Sequence, residues 1–111
     1  MIYNIVMTNY KIVVFVPLDH ADKVREAIGA AGGGKLGKYS FCSFSTRGIG
    51  RFKPDQGAKP HIGVVGKFEQ VEEEKIEITC DEKIMEDVIA AIKRVHPYEE
   101  IAMDIWPLID R

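Results

Sequence analysis

The chain has 111 residues, 46% apolar and 29% charged, with a formal net charge of -2. That length suits one domain with a single core, and the missing basic excess excludes the electrostatic footprint of a nucleic-acid binder. Apolar runs of six or seven residues at most are too short to cross a bilayer.

The opening Met1-Ile2-Tyr3-Asn4-Ile5-Val6-Met7-Thr8 has neither basic residues nor a small-residue cleavage pattern, so a cytoplasmic location is expected. Residues 1 to 9 show no period and read as an N-terminal extension, or an added edge segment, of one domain spanning 1–111. Tyr10 to Val16 is β-branched and aromatic with almost no polar alternation, as a strand buried on both faces would be. Pro17 ends it. Asp19 is placed to cap a helix whose Val24, Ala27, Ile28 and Ala31 recur at i, i+3, i+4, i+7. Gly32-Gly33-Gly34 then stops that helix.

Leu36 to Gly66 is dense in glycine and aromatics. Tyr39 to Thr46 has β propensity, Arg47-Gly48 suits a turn, and Ile49 to Lys53 returns as a short strand, which predicts a small hairpin. Residues 54 to 66 read as a long loop. Val71 to Cys80 alternates, with Ile76, Ile78 and Cys80 on one face and Lys75, Glu77 and Thr79 on the other. Its acidic lead-in, Glu72-Glu73-Glu74, reads as a solvated strand start. Cys42 and Cys80 form no C-x-x-C pattern and read as packed strand residues.

Asp81 caps a second helix with Met85, Val88, Ile89, Ile92 and Val95 as its apolar stripe. His96-Pro97 breaks it, because proline biases the preceding residue away from helical dihedrals. In the last strand Ile101, Met103 and Ile105 face one way, Glu100, Ala102, Asp104 and Trp106 the other, and Pro107 ends it or confines it to an edge. The order β-α-β-β-α-β predicts an α+β ferredoxin-like sheet with both helices on one face and the first and third strands in the middle. A doubly wound fold has too few parallel strands to compete. The open face would leave Phe15, Tyr39, Phe41, Phe44 and Trp106 as surplus aromatic surface, suited to another subunit.

His96, Glu99 and Glu100 are the residues best suited to a polar site, since imidazole and carboxylates bind divalent ions and exchange protons near neutral pH. Glu99 and Glu100 point to opposite faces of an extended segment, so one of them, taken as Glu100, pairs with His96 in a candidate metal site. The simpler reading gives His96 to the last helix carbonyls, Tyr98 to an interface and a glutamate to backbone or arginine hydrogen bonds. His20 and His61 read as helix-start or loop residues that only the fold or an assembly would bring to His96. Gly48 to Gly66 lacks the G-K-[ST] of a phosphate loop. Arg47, Arg51 and Lys53 give this region a positive tip for an acidic partner or another copy's Glu72 to Glu74. No nucleophile has a base at motif spacing.

Five ordered segments carry a family resemblance across Tyr10 to Leu108. They are Val14-Phe15-Val16-Pro17, Gly37-Lys38-Tyr39-Ser40-Phe41-Cys42-Ser43-Phe44, Gly48-Ile49-Gly50-Arg51-Phe52-Lys53-Pro54, Gly63-Val64-Val65-Gly66 and His96-Pro97-Tyr98-Glu99-Glu100. Together they resemble the PII-like insert domain of YqfO-type proteins, in the Nif-three-like family often labelled GTP cyclohydrolase I type 2-like. The resemblance implies a PII- or CutA-like fold and a trimer, here as a free-standing protein. The family's dinuclear metal site belongs to the surrounding domain, whose ligand motifs are not in these 111 residues, and Ile101 stands where relatives continue with proline. The expected function is therefore a non-enzymatic, trimeric binding, assembly or regulatory module for a small ligand or partner protein, with no certain cofactor. Its ligand or interface residues are His96, Tyr98, Glu99, Glu100, Tyr39, Phe41, Arg47 and Arg51. The alternatives are a CutA-like divalent-metal binder using His96 with Glu99 or Glu100, and an accessory domain of a metal-dependent hydrolase.

Overall fold

The computed structural model describes residues 9–109, so the segment read as an N-terminal extension lies outside the described residues except for Asn9. β1 (Asn9–Pro17) is the apolar run extended by one residue at each end. Its Ile12, Val14 and Val16, each 0% exposed, belong to the core. Lys11, Val13 and Phe15 alternate to the opposite face.

The chain passes directly into α1 (Leu18–Ala30), whose N-cap is Pro17 at φ -62 and ψ 150. This corrects the cap expected at Asp19. Proline already holds the extended geometry a helix entry needs, so Asp19 falls inside the first turn, where a carboxylate suits the helix dipole. The buried stripe is Ala21, Val24, Ile28 and Gly29. After the helix, the Gly34 amide donates to the Thr79 carbonyl at 2.8 Å and its own carbonyl accepts from the Cys42 amide at 2.8 Å. Gly34 has φ +79, and a Cβ there would strike the Cys42 backbone. Only glycine fits.

β2 (Phe44–Phe52) is one unbroken strand, antiparallel to β3 (Glu69–Asp81), with Phe44 opposite Glu77 and Phe52 opposite Glu69. The small hairpin expected over Tyr39 to Lys53 is therefore corrected. Arg47 and Gly48 stay extended because a continuous β3 ladder runs opposite them, and tertiary pairing overrides a local turn preference. Tyr39 instead closes a tight turn, exchanging hydrogen bonds with Leu36. The loop between β2 and β3 occupies residues 53–68.

Asp81 caps the next element as expected, accepting from the Lys83 amide at 2.8 Å over a short 3-10 turn (Glu82–Ile84) that leads into α2 (Met85–Val95). β4 (Met103–Leu108) follows, starting later than the expected strand and holding Pro107 on an edge. The sheet order β2-β3-β1-β4 puts the first and third strands in the middle, and the α+β fold expected from the element order stands. Ile76, Ile78 and Cys80 meet Ile12, Val14 and Val16 beneath Val24, Ile28, Val88 and Ile92, so the core lies between the sheet and the two helices. Among the described residues, no helix is long and apolar enough to cross a membrane.

Replacing Gly34 by alanine forces both a strained dihedral and a backbone clash, so the variant should lose about 1–3 kcal/mol or more of unfolding free energy in urea titration. An unchanged midpoint would show that the turn relaxes freely.

Candidate functional site

α2 ends at His96, whose amide still bonds the Ile92 carbonyl at 2.9 Å while its own dihedrals, φ -73 and ψ 134, are extended. The ring turns inward and is 7% exposed. Tyr98 offers its amide N–H to Nδ1 at 3.1 Å, so Nδ1 accepts. Nε2 therefore carries the proton and donates to the Phe15 carbonyl at 2.7 Å. Burial lowers the His96 pKa below its ordinary value. The ring is neutral, with both nitrogens engaged by its own chain.

Tyr98 lies against that ring, centroids 4.9 Å apart, and its hydroxyl donates to Glu73 Oε2 at 2.8 Å. Burial, then the hydrogen bond to the Glu73 carboxylate, push the Tyr98 pKa well above the phenol range. Glu73 is itself 9% exposed, and Gly50 makes room for it, since a Cβ on Gly50 would overlap the Glu73 carboxyl group. Glu74, 8% exposed, pairs instead with Arg25, which also holds Asp22 and Ser45. The solvated strand start read at Glu72 to Glu74 is thus corrected for two of the three. Glu73 and Glu74 sit where β1 and β2 flank β3 on both sides, and only Glu72 is exposed.

Between this joint and the β2–β3 hairpin lies a groove of about 440 Å³. Phe15, Phe52, Pro60, Ile62 and Tyr98 supply apolar wall, while Asp55, Glu73, Glu99 and Glu100 supply carboxyls. Glu99 Oε1 accepts from the Lys59 amide at 2.7 Å and so ties the 53–68 loop to the joint. The fold also gathers the chain's three histidines. His20 and His61 rings meet edge to face at 5.8 Å, and His61 lies 6.3 Å from Tyr98. Asp19 Oδ1 is 2.8 Å from His20 Nδ1, and this hydrogen bond holds the Asp19 pKa below its ordinary value.

Of the residues singled out from sequence, His96, Tyr98, Glu99 and Glu100 come together here. Arg51 borders the groove but alternates to the face of β2 opposite Gly50 and Phe52. Tyr39 and Phe41 lie elsewhere, past the far end of α1, where the Phe41 ring covers Gly29. Arg47 lies opposite Glu74 on the edge strand. Sequence reasoning missed Glu73, Phe52 and Gly50. Glycines two apart in a strand, Gly48 and Gly50, were the one signal that something approaches the backbone there. Among the described residues, no group of three or more His, Cys, Asp or Glu is arranged to hold a metal ion.

No family model matches the chain. It is 52% identical over 99 residues to the GTP cyclohydrolase 1 type 2 homolog of Halalkalibacterium halodurans, covering 89% of this chain and 27% of that protein. It is 48% identical over 98 residues to the Bacillus subtilis protein of the same name, covering 88% and 26%. The chain thus spans about a quarter of the length of these curated relatives. Among solved structures, a Bacillus cereus protein related to NIF3 superposes with a TM-score of 0.80 at 44% identity, over 92% of this chain and 26% of that one. CutA1 from Shewanella sp. SIB1 superposes with a TM-score of 0.67 at 18% identity, over 94% and 84%. The Archaeoglobus fulgidus periplasmic divalent cation tolerance protein CutA gives 0.63 at 17% identity, over 90% and 83%. The CutA likeness concerns the fold alone. The resemblance read from the five segments stands: this chain matches a domain-sized portion of NIF3-related proteins and shares the CutA-like fold.

Two outcomes follow from the joint. Tyr98→Phe removes a hydrogen bond from a buried carboxyl group and should cost about 1–3 kcal/mol in chemical denaturation. His96 has a folded pKa below its ordinary 6.5, so between those values the unfolded chain binds the extra proton and stability rises with pH. Its contribution is complete above 6.5 and lost as pH falls below it. Urea midpoints of wild type and His96→Gln, compared at about pH 7.5 and 5.5 on either side of the imidazole range, should show a steeper acid loss in wild type. Parallel pH profiles would contradict the assignment.

Proposed function

We propose that this chain is a non-enzymatic binding module that assembles in the cytoplasm as a homotrimer and takes a small ligand or partner segment in the Tyr98 groove. The observation that carries this reading is the sheet face that, among the described residues, no helix covers. Both helices pack on the other side. Phe44, 68% exposed, and Trp106, 43% exposed, stand on the open face with Lys11, Lys75, Glu77 and Asp104. Apolar rings among charges of both signs make a surface complementary to itself, as association of identical subunits requires. The groove borders that face through Phe15 and Phe52, so a neighbouring copy would form its outer wall. The three-copy stoichiometry rests on the resemblance to PII- and CutA-like domains. The cyclohydrolase name belongs to proteins of which this chain spans 26–27%, and an accessory role toward such chemistry is a lesser reading.

A divalent-cation role, carried in the name of the Archaeoglobus protein, ranks second. Its ligands as read from sequence, His96 with Glu100 or Glu99, would require the imidazole to release the Phe15 carbonyl or the Tyr98 amide. Elemental analysis of protein purified without a histidine tag should therefore find equal metal content in wild type and His96→Ala. Metal lost specifically from the variant would restore the ion-binding reading.

Multi-angle light scattering at micromolar concentration should return three times the 12.5 kDa chain mass. Trp106→Asp or Phe44→Asp should weaken assembly by at least about 30-fold, as expected for a buried aromatic anchor worth 2 kcal/mol or more. A wild-type monomer would remove the premise.

A further inference from the structure

Glu73 and Glu74 are adjacent, equally buried glutamates with different surroundings. Glu74 has the Arg25 guanidinium as counter-ion. Glu73 has a tyrosine hydroxyl on Oε2, and among the described residues no lysine, arginine or histidine nitrogen comes within 4.0 Å of its carboxyl group. A carboxylate taken out of water without a cation is costly, so such a group calls for a partner.

The carboxyl group faces the groove beside Tyr98. The basic residues at the groove's edge do not answer it. Arg51 alternates to the opposite face of β2, and Lys53 Nζ sits 3.8 Å from Asp55 and 5.7 Å from the Phe68 ring centroid. His96 has committed both nitrogens to backbone groups. Aromatic rings of Phe15, Phe52 and Tyr98 line the same space, and Glu99 and Glu100 add further carboxyls at its mouth.

We propose that this groove selects an organic cation, a guanidinium or primary ammonium on an aliphatic stem, with Glu73 as its counter-ion. The cation meets the Glu73 carboxylate at the base and the aromatic faces along the wall, where cation–π attraction adds to the ion pair. The stem lies along Pro60 and Ile62, and the volume of about 440 Å³ falls in the range of small-molecule sites. Aromatic walls favour an organic cation, whose aliphatic stem packs on them, over a metal ion, which keeps its water and seeks several oxygen ligands at once; the more weakly hydrated guanidinium suits them better than an ammonium. The inference rests on the binding-module reading and names the chemical class its groove would take.

The test uses the full chain at about pH 8, where ordinary imidazoles are neutral. Agmatine is titrated while amide chemical shifts are followed by NMR, and glutarate, inorganic phosphate and Mg2+ are titrated in parallel. Expected is saturable binding of agmatine, with shifts at Gly50, Phe52, Tyr98 and Glu99. Glu73→Gln should weaken it by at least about ten-fold, since it removes one partner of a desolvated charge pair. Glu100→Gln, an exposed change that leaves the core untouched, should weaken it by about two- to five-fold and keeps the test open if Glu73→Gln fails to fold. Agmatine that fails to saturate, or binds equally to both variants and wild type, overturns the proposal. Tighter groove binding of glutarate, phosphate or Mg2+ overturns it too, while leaving the binding-module reading in place. That reading falls separately, to a monomer in light scattering.

Discussion

One neutral imidazole ties the exit of α2 to the sheet. His96 donates to a β1 carbonyl 81 residues away and accepts from the amide two residues ahead, so the exit of α2 is fixed to the end of β1 through a single side chain. Each bond contributes only about 0.5–1.5 kcal/mol net. Their geometric effect is larger, because the orientation they impose brings the Tyr98 hydroxyl to Glu73 on β3. Three separate segments, β1, β3 and the helix exit, are thereby fixed around one space. The imidazole can do this only while uncharged: a protonated Nδ1 would point its hydrogen at the Tyr98 amide.

The two faces of the sheet have different surroundings. On the helix side, β-branched residues of β1 and β3 pack under α1 and α2 with little room for polar groups. On the other side the same strands present Lys11, Phe15, Lys75 and Glu77, flanked by Phe44 and Trp106 on the edge strands. The long β2–β3 hairpin and its 53–68 loop bring Phe52, Pro60 and Ile62 over the end of β1, and the Glu99 bond to the Lys59 amide keeps that loop against the joint. The groove lies where the hairpin, the open face and the helix exit meet.

Much of this was legible in the residues. The uninterrupted apolar run of β1 marks a central strand, Pro107 marks an edge, Asp81 a cap, and His96-Pro97 the end of α2. What escaped is physically instructive. β2 lies at an edge with most of its residues exposed, so it has no apolar alternation to read, and the Arg47-Gly48 pair looks like a turn. Pro17 does the work expected of Asp19 because fixed backbone geometry substitutes for a capping oxygen. The three consecutive glutamates looked solvated because charge is visible in a sequence and burial is not. Their partners, Tyr98 and Arg25, lie 25 and 49 residues away. The histidines too are far apart along the chain and become neighbours only through the fold.

The state of the His96 ring is the most direct check on this account. Nitrogen-15 chemical shifts of the imidazole, followed by NMR through and below the ordinary titration range near 6.5, distinguish the two neutral tautomers and the cation. The account predicts a protonated Nε2 and a bare Nδ1 that persist into mild acid. An imidazolium at neutral pH, or a proton on Nδ1, would mean that the ring does not bridge Phe15 and Tyr98, and the site built on that bridge would lose its foundation.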